Sequence, residues 1–159
     1  METVTVWHPP VVHFAVVLPI ITTIFYLTYL KKQHTSLLKT TEYFVYATVI
    51  FIVAAWYTGG HDGKMAYEAL LMNSDEGVEE LKEHAGLGQM LAIFSVAVLV
   101  MFKLAQNRAN RYLNWIVAAS LIFVTVAVLK QGKDGGELVY KYAANVEIPV
   151  SDDENIFEE

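Results

Sequence analysis

Apolar residues along the chain gather into four blocks, at residues 11–30, 43–58, 85–104 and 112–129, and the charged residues concentrate between them. Each block approaches the ~20 mostly apolar residues that carry a helix across a hydrocarbon core of roughly 30 Å. Backbone polar groups cannot be left unpaired in lipid, so such blocks read as helices. The second block is a little short, which a tilt or a locally thinner bilayer accommodates. Lys31 and Lys32 end the first block, Gly59-Gly60 reads as the stop of the second, and Gln131-Gly132 as the stop of the fourth. The expected fold is all-α, a four-transmembrane-helix bundle in which helices three and four form an antiparallel hairpin across a short loop.

The longest connection, residues 59–84, carries helical sequence of its own. Lys64 to Met72 is good helix-forming sequence, Asn73-Ser74-Asp75 makes a break with an N-cap candidate, and Val78-Glu79-Glu80-Leu81 restarts a helix. The third helix should therefore begin before the membrane, with His84 already inside it. Lys and Arg stay on the cytoplasmic side of short loops. Loop one holds Lys31, Lys32 and Lys39, and loop three holds Lys103, Arg108 and Arg111, whereas residues 59–84 hold only Lys64 and Lys82 against seven acidic residues. Both termini and the helical second loop are thus expected on the outer face. Trp7, Trp56 and Tyr57 at the outer ends, with Tyr43, Tyr112 and Trp115 at the inner ends, match interfacial aromatic belts.

Composition strengthens this picture and narrows the chemistry. Of 159 residues, 55% are hydrophobic and 18% charged, and the mean hydropathy is +0.38, too apolar for an ordinary soluble domain. The net charge of −6 belongs to the segment from Glu147 onward, which has Asp and Glu but no Lys or Arg; the remainder is balanced. We therefore divide the chain into a membrane domain, residues 1–146, and an acidic tail, residues 147–159. Nucleic acid is not an expected partner of such a chain. The N-terminus lacks the basic start and small-residue cleavage site of a secretory signal, so the first span is expected to be retained. With no Cys, a disulfide framework, an iron–sulfur cluster and the thioether attachment of a c-type haem are excluded. No ionisable residue lies near the middle of a span, which removes the usual machinery of proton or ion transport. No Gly-x-Ser-x-Gly, His-Glu-x-x-His or phosphate-binding loop is present.

What remains is histidine. His8, His13, His61 and His84 fall at the outer end of the bundle, and His34 alone lies on the other side, beside Lys31 and Lys32. His13 and His84 open helices one and three, which run in the same direction, so their imidazoles are expected at similar depth. Two histidines facing each other across a four-helix bundle are the usual ligation of a b-type haem. Gly86, Gly88 and Ala15 would give the macrocycle clearance. The sequence-based expectation is that His13 and His84 are the axial ligands of a haem b near the outer face, with His8 and His61 serving a second haem or another metal, or tuning the first. A copper or zinc site made by His61, Asp62 and His84, with His8, is the competing reading, and Met65, Met72 and Met90 bear on copper. A cofactor-free structural subunit, with histidines merely capping helices, is the third.

The run His8-Pro9-Pro10-Val11-Val12-His13-Phe14, continuing to Pro19, resembles the opening of a bacterial four-helix membrane family, domain of unknown function 2231, whose pattern is His-Pro-x-x-Val-His-Phe before an apolar helix. The resemblance continues at Thr58-Gly59, at His84, and at Gly135-Gly136-Glu137-Leu138-Val139-Tyr140, which is similar to the family's Gly-Gly-x-Leu-Val-Tyr signature. It covers nearly the whole chain to Val146. Where the family often continues with a glycine-containing segment, this chain has Ala143-Ala144-Asn145-Val146. The resemblance implies a multi-pass protein of the bacterial inner membrane with motif histidines His8, His13 and His84, and with haem b binding and electron transfer as the expectation. Quinone on the membrane side, a redox protein at the outer face, and a homo-oligomer or membrane complex are the expected partners, beside the lipid bilayer itself. Gly135-Gly136 is expected to make a tight turn that folds Leu138, Val139 and Tyr140 back over the outer mouth.

Overall fold

The computed structural model describes residues 7–108, 110–144 and 146. They form four helices: α1 (His8–Lys32), α2 (Thr35–Asn73), α3 (Asp75–Arg108) and α4 (Arg111–Tyr142). Each is long and apolar enough to cross a membrane. The acidic segment from Glu147 onward lies outside the described residues.

Local chemistry sets the helix ends. Pro9 and Pro10 occupy the first turn of α1, where their missing N–H groups leave no intrahelical bond unmade. The expected break at residues 73–75 is present: the Ser74 hydroxyl accepts the Gly77 N–H at 3.0 Å and caps α3. The Asn110 side chain caps α4 by accepting the N–H groups of Tyr112 and Leu113 at 2.9 and 3.4 Å. At the C-terminus of α1 the left-handed residue is Gln33, with φ 55°, and its N–H closes onto the Tyr29 carbonyl at 2.7 Å.

Three expected stops are not stops. Gly59-Gly60, Gln131-Gly132 and Gly135-Gly136 all lie inside helices, and Leu138, Val139 and Tyr140 continue α4 rather than folding back. A glycine inside a helix costs only about 1 kcal/mol relative to alanine, and at Gly59 and Gly135 a side chain of another helix occupies the space that a Cβ would take. Consequently α2 runs for 39 residues, about 58 Å, far more than the hydrocarbon thickness. Its excess, with those of α3 and α4, projects beyond one end of the bundle.

The helices pack as a ring, α1 on α2, α2 on α3, α3 on α4 and α4 back on α1, so that α1 and α3 are diagonal. One apolar core fills the span and includes Tyr26, Ile52, Phe102, Val117, Leu121 and Val124. A second, smaller cluster of Ala66, Leu70, Val78, Leu138 and Ala144 joins the projecting parts of the other three helices. Mid-span polar groups include threonines that bond across helices, Thr22 with Thr48 at 2.7 Å and Thr23 with Thr125 at 2.9 Å, and Ser95, which bonds the Ala92 carbonyl of its own helix. Such pairs satisfy hydroxyls where no water is at hand.

Candidate functional site: a diagonal histidine pair

All four helices have an end near the lysine-bearing loops, and from that end a common level can be counted. His8 lies 24 residues from Lys32, Gly59 lies 24 from Thr35, His84 lies 24 from Arg108, and Gly135 lies 24 from Arg111. At 1.5 Å per residue, all four sit about 36 Å from the lysine end, just beyond one hydrocarbon thickness. Around the ring the residue types alternate, histidine and glycine. The two imidazoles face one another from the diagonal helices α1 and α3, with ring centroids 6.5 Å apart and planes at 89°.

Each histidine rests on a glycine of the next helix. A Cβ at Gly59 would come within 2.8 Å of the His8 ring, and one at Gly135 within 3.0 Å of the His84 ring. These are close approaches that any side chain would obstruct.

Hydrogen bonds to α2 hold the His8 ring. The Thr58 hydroxyl has one proton and directs it along its own helix to the Ala54 and Ala55 carbonyls, at 2.9 and 3.2 Å. Toward His8 Nδ1, 3.2 Å away, Thr58 Oγ1 is therefore the acceptor. The Ala55 carbonyl is a further backbone partner of the His8 ring. This is the arrangement by which a hydroxyl or carbonyl orients a ligating histidine. His84 is held differently: Gln131 of α4 donates from Nε2 to the His84 carbonyl at 2.7 Å, while the His84 ring nitrogen Nδ1 and the Gln131 Oε1 are buried without a hydrogen bond. Burial lowers the proton affinity of both imidazoles, and at His84 the facing His8 ring adds to the effect. Both are thus kept neutral, the form that binds metals.

Asp62, one turn beyond Gly59, is almost fully buried and accepts the backbone N–H of His8 at 2.8 Å. Its other oxygen lies 3.1 Å from His61 Nδ1, and the His61 side chain is 73% exposed. His13 is exposed, and its Nδ1 donates to the Pro9 carbonyl at 2.6 Å. Of the four histidines singled out in the sequence, the structure brings His8 and His84 together; His13 and His61 sit on the periphery. His34 is exposed at the start of α2. Among the described residues no group of three or more His, Cys, Asp or Glu side chains comes together to hold a metal ion, so His61, Asp62, His84 and His8 do not form a ligand set. The roles of Thr58, Gly59, Gly135 and Gln131 became legible only with the helices in register.

The fold and site define a four-helix membrane bundle with a half-buried, diagonal pair of imidazoles at one end. The chain belongs to the DUF2231 family of predicted membrane proteins, whose model matches residues 5–147. No curated protein matches the chain. No solved structure matches it either.

Proposed function

We propose that the protein is a small membrane-bound b-type cytochrome in which His8 and His84 hold a single haem b. The observation that carries this reading is the diagonal pair itself: two half-buried imidazoles 6.5 Å apart, one held by the Thr58 hydroxyl and the other with a buried, unbonded ring nitrogen. The pair would hold the iron of such a group through one nitrogen of each ring. The donor set also fits, because a b-type haem takes two histidines and no cysteine. When bound, the group supplies one-electron transfer, which needs no acid or base from the chain. The residues contribute orientation: Thr58 holds the His8 ring, Gln131 ties α4 to α3 beside His84, and the second apolar cluster covers the site from beyond.

The concentration of basic residues at the opposite end supports an outward placement of the pair, in the bacterial inner membrane, where a soluble redox partner could reach it. A reporter fused after Glu159 should then be active outside the cytoplasm; activity confined to the cytoplasm would reverse the topology.

The primary test is a reduced-minus-oxidised spectrum with pyridine haemochrome analysis of protein expressed with ample haem. A b-type signal is expected in the wild type and in His13→Ala, and absent in His8→Ala and His84→Ala. Folded, colourless wild-type protein would sink the reading.

A further inference from the structure

At the lysine end of the bundle, the ends of all four helices border a partly open cavity of about 160 Å³, whose lining includes Tyr26, Tyr29, Gln33, Leu38, Gln106 and Asn114. A cavity of about 150 Å³ is known to take up one benzene ring. Tyr26 is buried and donates to Asn114 Oδ1 at 3.2 Å, so the oxygen of that amide is engaged and its nitrogen is the donor end. The Gln106 amide nitrogen is buried and lies beyond ordinary hydrogen-bond distance of any acceptor, its one polar interaction being a long one with the Glu42 carboxylate that Lys103 also holds. Gln33 spends its own N–H on the Leu30 carbonyl at 2.8 Å and stands exposed at the rim. The residues of the lining carry no formal charge, and the Gln106 and Asn114 amides offer N–H donors beside their own acceptor oxygens. Tyr26 also contributes an aromatic wall, with Tyr29 and Phe102 at ring centroids of 6.0 and 5.7 Å.

A ligand complementary to this cavity is uncharged, one six-membered ring in size, rich in hydrogen-bond acceptors, and able to arrive from the inner membrane leaflet. Those are the properties of a quinone ring. We infer that this cavity binds the head of a membrane quinone, with carbonyl oxygens accepting from Gln106 and Asn114 and the ring packed on Tyr26. The site is about 27 Å along α1 from His8, counted from Tyr26, and is independent of the histidine pair.

Leaving Trp115, which follows Asn114, as the only tryptophan (Trp7→Phe, Trp56→Phe) gives the full-length protein a local reporter. In lipid nanodiscs, titration with a short-chain benzoquinone should quench it saturably. Gln106→Leu and Asn114→Leu should each weaken binding about tenfold, the effect of one lost hydrogen bond in a desolvated site. Tyr26→Phe, which removes only a hydroxyl and keeps the packing, should weaken binding less, and His8→Ala should leave it unchanged. Quenching that rises linearly with quinone, as simple partition into lipid gives, would overturn the proposal. So would affinities that are the same in all the cavity variants, which would leave a water-filled polar pocket.

Discussion

The carboxylate of Asp62 on α2 accepts the backbone N–H of His8, the first residue of α1, at 2.8 Å, so one helix supplies the N-cap of another. Trp7, at the N-cap position, offers no side-chain bond of its own. The contact pins the start of α1 at the depth where the His8 ring meets His84, and it joins the backbone of the site to a buried charge.

Asp62→Ala should therefore lower stability by about 1–2 kcal/mol, the usual cost of a lost cap and an unpaired N–H. Asp62→Asn keeps an acceptor oxygen and should lose less. Thermal unfolding in detergent ranks the three proteins, and amide exchange in residues 8–12 should quicken selectively in the alanine variant. Uniform exchange across α1 would mean that the cap does not organise the helix start.

Thr58 acts on the site through His8 rather than by touching a ligand. Thr58→Val removes the acceptor for Nδ1–H, leaves the ring less firmly held, and should weaken haem retention ten- to a hundredfold, as is typical for such orienting partners. Thr58→Ser restores the oxygen and should restore binding. Haem titration of the apoprotein reads both. Equal affinities for the valine and serine variants would mean that the hydroxyl has no orienting role.

The glycines separate helix propensity from site geometry. Gly59→Ala and Gly135→Ala should each keep the protein folded yet displace an imidazole, because the new Cβ would stand 2.8 or 3.0 Å from ring carbon. Haem binding should fall at least about tenfold in both, the equivalent of about 1.4 kcal/mol. Gly60→Ala is the control: nothing lies within 4 Å of its Cβ, and the substitution should stabilise α2 by about 0.5–1 kcal/mol. Absorbance and melting temperature, taken together on the three variants, decide the matter. Full haem binding by Gly59→Ala would show that the His8 ring does not need its seat.

The four spans were legible because lipid demands long apolar runs, and the capped break at Asn73-Ser74-Asp75 was legible because helical sequence lies on both sides of it, although only the structure selects Ser74 as the cap. The double glycines misled because punctuation is their default meaning, whereas Gly59 and Gly135 are the places where a ring from another helix lies against the backbone. The histidine partner illustrates the same limit. His8 and His13 are five residues apart, about 140° around a helix, so only one can face α3. Taking α1 to begin at residue 11 favoured His13. Counting instead from the lysine ends puts His8, Gly59, His84 and Gly135 on one level, but that count needs helix ends that hydropathy alone does not locate. The cavity at the other end was illegible, since Tyr26, Gln106 and Asn114 meet only through packing.

Beyond the histidine level, α3 and α4 are joined by an ion pair between Lys141 Nζ and Glu76 Oε1 at 2.9 Å. The Lys141 contact holds the Glu76 carboxyl below its ordinary range. A carboxyl whose proton affinity is lowered in the folded state stabilises that state above its unfolded pKa, and the contribution is lost as pH falls through the folded value. Wild type should thus be slightly more stable than Glu76→Gln at pH 7, with the difference shrinking below about pH 4 and vanishing in more acid solution. Both groups are open to solvent, so the gap at pH 7 should also narrow as salt is raised. Paired melting curves across pH, at low and high ionic strength, supply the check. A difference that persists at pH 2 would trace to packing of the side chain and not to its charge.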